Sequence, residues 1–240
     1  MVKAVLGDMV FFAAVLLANL VQTVTGFAGT VLVMPLAINM KGTDIAVPLL
    51  NLLALLMCGY IAVRNYKSIV WREFLGISVV MAGGVAAGMY IYSAVQLDIL
   101  LKLYGVFIVC IALYYLLKKD SRKLGKLPGI VILLAAGLVQ GVFVSGGPLL
   151  VIYLIKKIEE KQEFRATISA VWVVTNGILM FRHLAKGMIT GEVGYLLLLT
   201  IPALVIGVYI GNKIFEKVNK AVFLKVSYAV LFVSGLYIIL

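Results

Sequence analysis

Residues 18–36 read ANLVQTVTGFAGTVLVMPL, and residues 136–154, lying 118 positions further on, read AGLVQGVFVSGGPLLVIYL. Nine of the nineteen aligned positions are identical, among them Gln22 with Gln140 and Gly29 with Gly147, so the pair is an internal repeat. Each copy sets a Gln and a Gly-containing break inside a hydrophobic stretch. Paired interrupted segments in the two halves of a membrane protein point to a transport site.

The composition around this pair bounds the class. The chain has 240 residues, 64% of them hydrophobic and 13% charged, with a mean hydropathy of +1.14. A soluble domain carries about 45–50% apolar and about 25% charged residues, so this is an integral membrane protein. The net charge of +11 reads as basic loops beside apolar spans, not as a nucleic-acid surface. Cys58 and Cys110 lie in separate apolar segments without metal-ligand spacing and read as two reduced core thiols. No Ser/His/Asp set, metal cluster or GxxxxGK[ST] loop occurs, so neither an enzyme, a metal nor a cofactor is expected.

The apolar runs are 9–40, 45–63, 74–92, 99–117, 129–155, 167–181, 193–210 and 221–240. Most approach the roughly 20 residues a spanning helix needs, while 9–40 and 129–155 are longer and are cut by the breaks. The run that opens at Met9 lacks a strong basic flank and continues into the repeat, so it reads as mature protein. Loop charge chooses between single crossings and hairpins for the two long runs. If both are hairpins, one face collects Arg64, Lys67, Arg72, Lys118, Lys119, Arg122, Lys123, Lys126, Lys156, Lys157, Lys161, Arg165, Lys213, Lys217, Lys220 and Lys225, which is 16 of the 21 basic residues. The other face keeps Lys3, Lys41, Lys102, Arg182 and Lys186. That asymmetry is what the positive-inside rule requires, and it puts both termini outside.

The expected fold is therefore an all-α polytopic membrane protein forming a single domain over 1–240. Repeat 1 covers 1–120, a basic cytoplasmic linker covers 118–128, and repeat 2 covers 129–240. Each repeat is a re-entrant, broken helical hairpin followed by three transmembrane helices. The crossing count is odd, so the repeats are inverted and the hairpin tips meet near the bilayer midplane.

The residues expected to bind substrate are those of the tips and the amides near them. The first tip supplies Thr25, Gly26, Phe27, Ala28, Gly29 and Thr30; the second supplies Ser145, Gly146 and Gly147, followed by Pro148. Glycines permit positive φ and close approach of a ligand, and Pro148 suits the first turn of a helix. Helix N-termini facing one another offer N–H groups and partial positive charge to an anion. Gln22 and Gln140 either meet substrate or lock the opposite hairpin. Asn51 and Asn176 are mid-span amides, and Thr23 and Thr175 are further hydroxyl donors. Arg64 and Arg182 close equivalent helices as interfacial anchors or as anion-attracting gates, and His183 reads as interfacial. Asp8, Asp44, Glu73, Asp98 and Glu192 all fall near span ends, which leaves no built-in proton relay.

At its breaks the chain resembles the TauE/SafE sulfite exporter family: in size, in its two related halves, and in a Gly-rich turn near the start of each half. Gly26, Gly29 and Pro35 carry the likeness in the first copy, Gly146 and Gly147 in the second. The resemblance implies export of sulfite or an organosulfur anion across the cytoplasmic membrane. The expected partners are a small anionic substrate and the lipid bilayer; the sequence leaves the oligomeric state open. An anion channel and a non-transporting membrane scaffold are the alternative readings.

Overall fold

The computed structural model describes residues 2–91, 125–144 and 146–219, with scattered positions between 106 and 113 and between 222 and 236. Eight α-helices have defined bounds: α1 (Val2–Thr25), α2 (Ala28–Lys41), α3 (Thr43–Arg64), α4 (Trp71–Ile91), α5 (Lys126–Phe143), α6 (Gly147–Ile155), α7 (Lys161–Ala185) and α8 (Gly191–Lys217). Among the described residues there is no strand, and α3, α4, α7 and α8 are each long and apolar enough to cross a membrane. The protein is an all-α polytopic membrane protein. The expected spans 99–117 and 221–240 fall largely outside the described residues, where the described positions within them are helical.

Both repeated stretches fold back on themselves. A Cβ placed on Gly29 would lie 2.2 Å from the Ala18 carbonyl oxygen, and one on Gly146 would lie 2.2 Å from that of Ala136. Residues eleven and ten positions apart touch in this way only if the chain reverses. At 1.5 Å per residue α2 is about 21 Å long and α6 about 14 Å, too short to cross a hydrocarbon core of about 30 Å. α1–α2 and α5–α6 are therefore hairpins.

The first reversal is made by Gly26, with φ +88°; the second by Val144, with φ +53°. These two positions are 118 apart, so the repeat register survives up to the turn. Beyond it, Gly146 lies against Ala136 as Gly29 lies against Ala18, a spacing of 117. The sequence assigned the positive φ of both turns to glycine, yet in the second copy Gly146 has φ −68° and a buried valine carries the strain. A left-handed conformation costs a non-glycine residue about 1–2 kcal/mol.

Small residues set the packing of the arms. On α4, Gly84 and Gly88 press against the backbone of α5 at Leu134, Gly137, Leu138 and Gly141. On α8, Gly207 and Gly211 press against α1 at Leu16, Asn19, Leu20 and Thr23. Gly-x-x-x-Gly spacing permits such backbone contact between membrane helices. In both pairs the residue numbers rise together, so α1 runs parallel to α8 and α5 parallel to α4. α3 and α7 run antiparallel, with Asn51 beside Asn176 and Asn65 beside Gln162. Followed through the short links, these directions make α1 and α5 opposed, so the hairpins enter the bundle from opposite ends. Exposed Val63, Val79, Tyr90 and Leu198 lie on the outer surface, as a lipid-facing surface requires.

The start of α7 departs from expectation. The sequence begins the next span at 167 and counts Arg165 with the basic residues of the loops, but the Glu160 carboxylate accepts the Gln162 and Glu163 N–H groups and starts a helix at Lys161. Arg165, assigned from the sequence to a cytoplasmic loop, is therefore on a helix and buried. One smaller correction follows: Cys110 is exposed where a core thiol was expected. His183, in the last turn of α7, is buried, and neither ring nitrogen has a partner among the described residues.

Candidate functional site

The two hairpin tips touch. A Cβ on Gly147 would lie 3.1 Å from Phe27 Cβ and 3.2 Å from its carbonyl oxygen, so the second tip rests directly on the first. Trp172, in the middle of α7, holds the junction: its indole Nε1 donates to the Gly26 carbonyl over 2.8 Å. Ile168, one turn earlier, fills the space beside Gly26. Gly26, Phe27, Ala28 and Gly147 are thus brought together with α7 as a backstop. Ser145 lies outside the described residues.

The two glutamines do related work, each within its own hairpin. Gln22 Oε1 accepts from the Thr30 N–H and from Thr30 Oγ1, both at 3.1 Å, and its Nε2 donates weakly to Cys58 Sγ at 3.6 Å. Gln140 Oε1 accepts from the Gly146 N–H at 2.9 Å, and its Nε2 donates to Asn176 Oδ1 at 2.9 Å. The Asn176 carbonyl in turn accepts from Asn51 Nδ2 at 3.2 Å. Gln140, Asn176 and Asn51 therefore form one buried chain that ties the second hairpin to α7 and α3. The glutamines lock their own hairpins, not the opposite one.

Part of the expected anion cradle is spent internally. Thr25 Oγ1 accepts from the N–H groups of Phe27 and Ala28, which caps the first turn of α2. The hydroxyls of Thr23 and Thr175 donate to carbonyls four residues back on their own helices, so neither is the free donor the sequence suggested. Arg64 is exposed and pairs with the Tyr60 hydroxyl at 2.6 Å, as an anchor does. Arg182 is half-buried at the far end of α7, which places both arginines away from the tips.

Four buried polar atoms around the first hairpin have no protein partner among the described residues: Asn19 Nδ2, Asn51 Oδ1, Ser169 Oγ and Arg165 Nε. Buried groups left unpaired cost about 1–3 kcal/mol each, so each is a candidate partner for water or ligand. Asn19 lines a cavity of about 10 Å³ with Gln22, Gly29, Thr30, Leu50 and Leu53, room for about one water molecule. Asn19, Trp172 and Arg165 escaped the sequence reading. A tryptophan at mid-span, away from the interfaces that membrane tryptophans favour, was the one signal available.

The carboxylates lie at helix ends, and Glu216, in the last turn of α8, acts electrostatically on Arg165. Asp44, Glu73 and Glu192 occupy the first turns of α3, α4 and α8, where they complement the helix dipole. Among the described residues no group of three or more His, Cys, Asp or Glu side chains has metal-binding geometry.

A family model described as sulfite exporter TauE/SafE matches residues 11–238. The chain is also 25% identical over 176 residues to a probable inner membrane transporter protein TsaS of Comamonas testosteroni, which covers 72% of this chain and 73% of that protein. No solved structure matches it.

Proposed function

The chain belongs to the TauE/SafE sulfite exporter family and is a multi-pass membrane transporter, and from that premise we propose that it exports a small oxyanion, sulfite or a related organosulfur anion. The anion binds where the two hairpin tips meet. The observation that carries this reading is the set of buried polar atoms beside the first hairpin that have no partner among the described residues, Asn19 Nδ2 among them. A donor prepared for a ligand suits an anion.

The mechanism follows from the architecture. The two halves, related as inverted repeats over 1–120 and 129–240, rock against each other about the tip junction and open it to each side in turn. The opposed directions of α1 and α5 and the antiparallel crossing of α3 and α7 support the inversion, and the basic residues near the cytoplasmic ends support extracytoplasmic termini. Outward movement of one negative charge down an inside-negative potential gains about 2.3 kcal/mol per 100 mV, so export needs no coupling ion and no membrane-buried carboxylate.

The test is flux from proteoliposomes loaded with sulfite, sulfate, thiosulfate or a small sulfonate. Saturable efflux of at least one sulfur oxyanion, faster at inside-negative potential, is expected. Efflux that rises linearly with concentration would favour a channel, and its absence for every anion would overturn the reading.

A further inference from the structure

Arg165 is the one charged side chain among the described residues that is buried. It lies one turn before Ile168 on α7, about 10 Å along the helix from Trp172, and so sits beside the first hairpin. Its Nη1 donates to Asn212 Oδ1 at 2.8 Å and, more weakly, to the Thr23 carbonyl at 3.4 Å. The face of the guanidinium stacks on the Phe215 ring, 3.7 Å from Cζ to the centroid. Nε has no hydrogen-bond partner among the described residues; Glu216, in the last turn of α8, and Arg64 act on the guanidinium through space.

A structural explanation would have Arg165 tie α7 to the end of α8. That task already belongs to Lys161, whose Nζ donates to the carbonyls of Phe215 at 2.8 Å and Val218 at 2.7 Å. Arg165 is instead held by one face and one corner, both recorded hydrogen bonds leaving from Nη1. The Nε–Nη2 edge remains, and that edge grips two oxygens of one anion side by side. A buried guanidinium with an unpartnered donor edge is costly, and membrane-embedded cations mark ion pathways.

We propose that Arg165 is a second anion station, whose Nε–Nη2 edge takes two oxygens of the permeating oxyanion between the start of α7 and the hairpin junction. This deepens the oxyanion-transport reading and rests on it. Phe215 and Asn212 fix the plane of the guanidinium, so a planar edge is presented without loss of side-chain freedom at binding.

The test uses the full chain in lipid nanodiscs with ¹⁵N-labelled arginine. The five arginine Nε–H signals are assigned by replacing Arg64, Arg72, Arg122 and Arg182 with Lys in turn, leaving Arg165 intact. Sulfite is then titrated at constant ionic strength, with chloride as the control. The Arg165 signal is expected to move saturably with sulfite and not with chloride, and Arg165→Lys should raise the half-saturating sulfite concentration for thermal stabilisation about tenfold. Sulfite that stabilises the protein while the Arg165 signal stays still would overturn this proposal and leave oxyanion binding at the tips standing. If no sulfur oxyanion stabilises the protein or moves any signal, both readings fall together.

Discussion

Replacing Gly29 with Ala should unfasten the first hairpin. The new Cβ would lie 2.2 Å from the Ala18 carbonyl oxygen and 2.7 Å from Gln22 Cβ. Real Cβ contacts essentially never fall under 3.0 Å, so the arms must part by close to an ångström. Overpacking of this kind costs about 1–3 kcal/mol. The shift also stretches the two hydrogen bonds that Gln22 Oε1 accepts from Thr30, worth about 1 kcal/mol each. The sum, about 3–5 kcal/mol, corresponds to a fall in melting temperature of about 6–20 °C for a chain of this size. Gly146→Ala meets the equivalent wall at Ala136 and should behave alike. Gly177→Ala is the control: its Cβ meets nothing within 4 Å, and a helical Gly-to-Ala change is stabilising by about 1 kcal/mol. Thermal unfolding of the three purified variants in one detergent reads the effect directly. Equal melting temperatures for Gly29→Ala and wild type would refute the close approach of the arms.

Gln140→Leu removes the acceptor for the Gly146 N–H and the donor to Asn176, and should lower stability by about 2–3 kcal/mol, seen as a lower melting temperature. Trp172→Phe keeps the ring in its slot but leaves the Gly26 carbonyl unpaired; a loss of about 1–3 kcal/mol and slower flux are expected, measured by thermal unfolding and by efflux. Cysteines placed at Lys67 and Lys157 in a Cys110→Ser background should react with a membrane-impermeant maleimide from the cytoplasmic side, and one at Lys186 from the other side; labelling of Lys67 and Lys157 from opposite sides would break the hairpin topology.

Much of this was legible because repetition and charge asymmetry are properties of the sequence. The 118-residue spacing predicted two matched breaks, and Gly26 and Val144 both turn the chain at that spacing. The bias of basic residues predicted hairpins over single crossings, and Gly29 and Gly146 each lie against their own first arm. What the sequence hid was mostly pairwise. Five Gly-x-x-x-Gly pairs can be read off the chain, but nothing local says that 84/88 and 137/141 face each other and that 207/211 faces Asn19 and Thr23. The glutamines looked equally suited to substrate or to locking, since an amide serves either; only the position of Thr30 and Gly146 decides. Arg165 was misread because seven of the ten residues 156–165 are charged, which mimics a loop. Glu160, three residues before Glu163, was the available sign of a helix start.

The central claim is that the contact between the tips is the place where the oxyanion is bound and passed on, and Gly147→Leu tests it most directly. Its Cβ would meet Phe27 at 3.1–3.3 Å, tight enough for a larger side chain to wedge the tips apart, while the Gln140 lock on Gly146 is left in place. The measurement is sulfite efflux from proteoliposomes at a fixed inside-negative potential, with equal amounts of folded wild type and variant confirmed by thermal unfolding. The account predicts saturable efflux for wild type and its loss in Gly147→Leu; undiminished efflux from the folded variant would contradict it.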